Sequence, residues 1–190
     1  MQIHDARTGY GWLSIALHWA AAISIVMLWF IGNQMTAEDL PPDEAAELLG
    51  VHTSVAVTVY LLLLYRVFRR LRIGFPGRSA GQNVVLISIA RTVHFMLLFS
   101  ILVMLCTGPL QVWLAGDTIA LFNIGEIAGP FTPNDNAAAF VNSAHVAFAK
   151  VLLVVFLIHI AGAMRQILFS DGETANRMLI APTGENRDEE

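Results

Sequence analysis

Between Phe140 and Met164 the sequence reads FVNSAHVAFAKVLLVVFLIHIAGAM, with Lys150 its only formal charge. A helix needs roughly 20 mostly apolar residues to cross the hydrocarbon of a bilayer, and this run is long enough. Two histidines interrupt it, His145 and His159, fourteen residues apart. At 3.6 residues per turn that is just under four turns, so both imidazoles leave nearly the same face, about 21 Å apart along the axis. A single helix therefore presents a nitrogen ligand at two depths of the membrane.

Three further segments have the same character: about 13–31, 50–67 and 84–105. None shows the period-two alternation of a barrel strand, and backbone polar groups in lipid must be paired internally, so each is predicted to be a helix. The expected architecture is all-α, a four-helix transmembrane bundle forming a single domain over residues 1–183. A charged tail at 184–190 is expected to be disordered. Composition agrees, since 56% of the 190 residues are hydrophobic and 14% charged, which excludes an ordinary water-soluble globule. The first apolar run, Leu13 to Ile31, is too long for a signal-peptide core and ends without a small-residue cleavage site, so it reads as a retained span.

The charges orient the bundle. No lysine or arginine occurs from Thr8 to Tyr65, whereas Arg66, Arg69, Arg70, Arg72, Arg78 and Arg91 follow with no acid between them. Basic loops face the cytoplasm, so the connection between spans two and three is expected there, together with both termini, Arg7, Arg165 and Arg177. The connections on the other side carry only acids: Glu38, Asp39, Asp43, Glu44 and Glu47 in the first, Asp117, Glu126 and Asp135 in the second. The Pro41-Pro42-Asp43-Glu44 run predicts that the second helix starts outside the hydrocarbon. Gly108-Pro109 is expected to end or kink the third span. The second outer connection, apolar through Trp113, Leu121, Phe122, Ile124 and Phe131, is expected to lie over the outer surface. Trp12, Trp19, Trp29 and Trp113 read as interface residues.

Several chemistries are excluded. Cys106 is the one cysteine, so no disulfide, zinc cluster or thiolate-bound iron–sulfur centre forms within the chain. There is no Gly-rich phosphate loop, dinucleotide fingerprint or Ser-His-Asp pattern, and the basic cluster lies between spans, so nucleic acid is not an expected partner.

Five of the six histidines, His18, His52, His94, His145 and His159, fall in or beside spans, where ionisable side chains are functional candidates by default. Alternating span direction puts His52 and His145 at the outer level and His18 and His159 at the inner one. Each pair can clamp a haem iron between facing helices. His94 also lies near the inner face. It is the alternative partner of His159, or a contact for a haem propionate or quinone. Lys150 is expected to meet a propionate or substrate, with snorkelling to the interface as the alternative. Arg66 is deep enough to reach the inner haem, and Arg69 and Arg70 read as topology markers in contact with lipid headgroups.

The order of these features resembles the bacterial cytochrome b561 family. The resemblance rests on Trp12 to His18-Trp19, Gly50-Val51-His52, Tyr65-Arg66-Val67-Phe68-Arg69, Thr107-Gly108-Pro109-Leu110, and His145 with Ala149-Lys150 and Leu157-Ile158-His159. It extends from about Tyr10 to Leu179. The resemblance implies an inner-membrane electron-transport protein with two haem b groups, bound through His18, His52, His145 and His159. It implies ubiquinone or a similar quinone as substrate, and activities that include superoxide oxidation. A periplasmic redox partner, as for a membrane anchor subunit of a dehydrogenase or hydrogenase, is the alternative. Many members carry a histidine pair shortly after the last ligand. This chain has Arg165-Gln166 there, so any role of that pair does not transfer.

Overall fold

The computed structural model describes residue 5, residues 9–75, 83–122 and 124–169, and residue 178. Arg78, Arg177 and the 184–190 tail lie outside the described residues. The chain forms α1 (Trp12–Gln34), α2 (Pro42–Ile73), α3 (Val84–Leu114), β1 (Ile119–Leu121), β2 (Gly125–Ile127) and α4 (Asp135–Phe169). All four helices are long and apolar enough to cross a membrane. The fold is the expected all-α four-helix bundle.

Every helix runs past the apolar stretch that announced it, because polar groups continue it beyond the hydrocarbon. At α2 the first turn holds Pro42 with Asp43 and Glu44, a residue whose missing N–H is harmless there and two acids that suit the positive end of the dipole. The Asn83 side chain caps α3 by accepting from the Val85 N–H at 2.9 Å, and Asn134 does the same for Ala137 at 3.0 Å before α4. Helix α3 also continues through Pro109 to Leu114, where a stop or kink was expected. A proline inside a helix costs about 3 kcal/mol in a lost bond and steric strain. Here the surrounding turn is fixed from outside, since Thr107 and Gly108 pack directly on His145 of α4.

Helices α1 and α2 form one packed pair and α3 and α4 the other, and the two pairs meet mainly along α2 and α3. The buried core at this junction consists of Ala21, Leu63, Val67, Leu98, Ile101, Leu105 and Leu152. Leu152 lies midway between His145 and His159 in sequence, so this apolar layer sits between the two histidine levels. Most remaining large side chains face outward, among them Ile23, Leu61, Phe99, Phe140 and Val154, as expected of surfaces whose solvent is lipid.

The connection from α3 to α4 contains a small antiparallel hairpin in which Ile119 pairs with Ile127, Ala120 with Glu126 and Leu121 with Gly125. It packs on α2, so the connection does lie over this end of the bundle. Ser54, 1% exposed, holds it there. Its Oγ lies 2.7 Å from the Gly50 carbonyl and 3.1 Å from the Ala120 carbonyl, and accepts the Phe122 N–H at 2.7 Å. Phe122 has φ 45°, a left-handed conformation that a bulky residue adopts only under constraint, and the bond to Ser54 supplies that constraint. Trp113 donates its indole N–H to the Ile127 carbonyl at 3.1 Å, and any side chain at Gly129 would collide with the Trp113 ring. Trp113 is thus a clasp on the hairpin rather than only an interface residue.

Replacing Ser54 with alanine leaves the Phe122 N–H without its partner, at a cost of about 1–3 kcal/mol. The hairpin of the Ser54→Ala protein is expected to be cut faster by added protease between residues 115 and 134 while helix content stays unchanged.

Candidate functional site

At the acidic end of the bundle His52 of α2 backs onto α1, and His145 of α4 backs onto α3. A Cβ placed at Gly32 would lie 3.4 Å from His52 Cε1 and 3.7 Å from its Nδ1. The same construction at Gly108 gives 3.5 Å to His145 Cε1 and 4.0 Å to its Nδ1. Each ring therefore rests its Nδ1–Cε1 edge on a glycine of a neighbouring helix, leaving Nε2 as the nitrogen not turned to that glycine. His52 and His145 lie near enough to interact electrostatically. The buried Nδ1 of His52 makes no hydrogen bond of standard geometry among the described residues, though the ring interacts with the Leu28 backbone.

At the basic end three imidazoles converge. The ring centres of His18 and His159 are 6.0 Å apart and inclined at 65°; those of His94 and His159 are 5.1 Å apart at 63°. A metal held by ring nitrogens at about 2 Å on each side separates two imidazole centres by roughly 6 Å, so the inner pair has suitable spacing. His94 is stacked on Phe75 at 5.1 Å and 21°. It stands closer to His159 than His18 does, so proximity alone keeps both inner pairings.

Arg66 approaches His18 Nδ1 with a guanidinium nitrogen at 2.9 Å. A guanidinium only donates, so Nδ1 accepts and the ring proton sits on Nε2. For Nε2 of His18 to bind a metal, the guanidinium must leave Nδ1 and the proton must move there.

Arg69 and Arg70 correct an expectation. They are 8% and 5% exposed, not spread among lipid headgroups. Both reach the Asp5 carboxylate at 3.5 Å, and both donate to Ser14 Oγ. The Arg70 guanidinium also lies over the Tyr10 ring at 4.8 Å and donates to the Gly74 carbonyl at 2.8 Å. Asp5 in turn accepts the Gly11 N–H at 3.0 Å, which ties the segment before α1 across the end of α2. Burial pushes the Asp5 carboxyl up, but the bonds from Ser14 and Gly11 and the charges of Arg69 and Arg70 outweigh it and hold it below its ordinary 3.8.

Lys150 lies on an exposed face of α4, with no hydrogen bond or ion pair among the described residues. This favours snorkelling along the lipid face over an inward role. Sequence reasoning missed Asp5, Gly32 and the contact between Thr107 and His145. The glycine signal was present, since a small residue one helix away is what an edge-on ring requires, but nothing in a linear pattern says which glycine faces which histidine.

The molecule is thus a multi-pass helical membrane protein whose paired hairpins bring three imidazoles together at the basic end. Residues 9–180 match the model of the prokaryotic cytochrome b561 family, and the chain belongs to that family. It is accordingly a bacterial membrane protein of haem b electron transfer. No curated protein matches the chain.

The histidines fit haem. The chain offers neutral nitrogen donors from opposing hairpins, glycine recesses behind the outer rings, and helix pairs that meet along only one seam. Filling a recess tests this. Gly108→Ala is expected to retain normal haem content, because the added carbon makes an ordinary contact with His145. Gly108→Leu is expected to displace the His145 ring and lower the haem content, read as haem per polypeptide in purified protein.

Asp5→Asn leaves two buried guanidinium groups without their carboxylate and is expected to destabilise the protein by about 3 kcal/mol. Because the folded-state carboxyl titrates below 3.8, its contribution is complete above that pH and is lost as pH falls through the lower folded value. Thermal denaturation in detergent should therefore show the difference between the wild-type and Asp5→Asn proteins shrinking only in that acid range.

Proposed function

We propose that the chain is a di-haem b electron-transfer protein of the bacterial inner membrane, passing electrons between a periplasmic-side or quinol donor and a quinone-like acceptor such as ubiquinone. The observation that carries this reading is the convergence of His18, His94 and His159 from two hairpins at the basic end, with His52 and His145 within electrostatic reach at the other. His52 and His145 are the outer ligands and His18 and His159 the inner ones, with both termini in the cytoplasm. Haem, when bound, supplies a one-electron iron couple whose potential is set by axial ligands, hydrogen bonding and burial. The chain's own residues hold the rings, keep water from the apolar layer and concentrate cationic charge at the basic end.

Superoxide is one donor within this reading. Anionic donors are drawn to positive surfaces, yet both outer connections carry acids and no bases. The charge pattern therefore favours a neutral or protein donor. A second reading, a haem-bearing anchor subunit for a periplasmic dehydrogenase or hydrogenase, is favoured by the apolar side chains on the outer connection. Phe122, Ile124, Ile127 and Phe131 are all exposed there, despite the packing of the hairpin on α2. Co-purification of a large periplasmic subunit would support the anchor; rapid reduction of the isolated protein by superoxide would count against it.

The decisive measurement is an absorption spectrum with haem-to-protein stoichiometry. The wild-type protein is expected to carry two haems, and alanine at His18, His52, His145 or His159 to remove one or both. The His94→Ala protein is expected to keep two. Two normal haems in His52→Ala would overturn the outer pair. Loss in His94→Ala with retention in His18→Ala would reassign the inner one.

A further inference from the structure

Thr107 makes two contacts with one hydroxyl. Its Oγ1 lies 2.7 Å from the Val103 carbonyl and 2.9 Å from His145 Nδ1. A hydroxyl has one hydrogen to give and lone pairs to receive with, and a carbonyl can only accept. If the hydrogen went to His145 Nδ1, the threonine and Val103 oxygens would face one another at 2.7 Å as two acceptors. One assignment satisfies both contacts: Thr107 donates to Val103, and His145 Nδ1–H donates to Thr107. That places the imidazole proton on Nδ1 and leaves the Nε2 lone pair free.

We propose that Thr107 is a positioning residue for the outer level, fixing His145 in the tautomer whose Nε2 can bind a metal and making that nitrogen a stronger donor. The inference rests on the reading of His145 as a haem ligand. Three features carry it. The bond from Thr107 to Val103 is the ordinary back-bond of a threonine within a helix, so the hydroxyl is already aimed before His145 arrives. Gly108, the next residue, lets the Nδ1–Cε1 edge come close enough for the second bond. The basic end offers the contrast, because His18 Nδ1 meets a guanidinium that can only donate. Neutral His145 is therefore set for ligation through Nε2, whereas His18 must first exchange its partner.

A donor bond from Nδ1 raises the basicity of the ligating nitrogen, which favours the oxidised metal and lowers the potential. Removing the acceptor should do the reverse. Potentiometric titration of the purified protein with its haem bound, following the haem absorption bands, tests this with Thr107→Val and Thr107→Ser. The Thr107→Val protein is expected to show one haem transition displaced upward, with at least a tenfold rise in its reduced-to-oxidised ratio at fixed ambient potential, about 59 mV for a one-electron couple. Selective loss of one haem from that variant would also support the proposal. Thr107→Ser, which keeps the hydroxyl, is expected to match the wild-type protein.

A Thr107→Val titration identical to wild type would overturn the inference while leaving the two-haem reading intact. So would equal changes in the valine and serine variants, which would assign Thr107 to packing alone. A wild-type protein without two haems would overturn the parent reading, and this inference with it.

Discussion

A neutral imidazole has one nitrogen that donates and one that accepts, and in hydrocarbon neither has water to turn to. The bundle is arranged around that requirement. His145 gives its proton to Thr107, His18 receives one from Arg66, and His94 lies flat against Phe75. His52 rests its Nδ1 edge against α1 at Gly32, where it interacts with the Leu28 backbone.

The pairing of helices follows from the same requirement. If all four helices packed equally, side chains would fill the space between α4 and the α1–α2 pair. Instead the two hairpins meet chiefly along α2 and α3, and the histidines extend from one hairpin toward the other. Glycines are placed to serve this. Gly32 and Gly108 stand behind the outer rings, so in α1 and α3 they admit an edge-on imidazole rather than merely bringing two backbones together. Apolar packing centres on Ala21, Leu63, Val67, Leu98, Ile101, Leu105 and Leu152, and polar contacts lie toward either end of the bundle.

The fold was legible in the sequence because its determinants are local and periodic. Long apolar runs specify spans, and a fourteen-residue interval specifies one face of one helix. What was not legible depends on contacts between residues far apart in the chain. Nothing near Arg69 and Arg70 reveals that Asp5 and Ser14 will bury them. The hairpin of Ile119–Leu121 and Gly125–Ile127 has strands too short to show alternation, and it persists because Ser54 and Trp113 hold it. Gly108-Pro109 reads as an end or a kink of the span, and the helix does not end there: α3 runs on to Leu114, with that turn packed against His145. For the lone lysine the sequence leaves a propionate or substrate contact against snorkelling, and its exposed helix face favours the latter.

The basic end carries a charge imbalance that helix packing does not explain. Arg66 touches His18, and Arg69 and Arg70 are buried with Asp5, the one carboxylate paired to them among the described residues. Among the described residues, three guanidinium groups stand with one carboxylate beside His18, His94 and His159. Burying a cation is favourable only where an anion meets it, and Asp5 does this for Arg69 and Arg70. On the proposed reading Arg66 would be the residue beside His18 to hold an acidic group of a bound cofactor. The two ends then differ in what holds the ring: at His18 a guanidinium that can only donate faces Nδ1, whereas at His145 a threonine oxygen that can accept faces it.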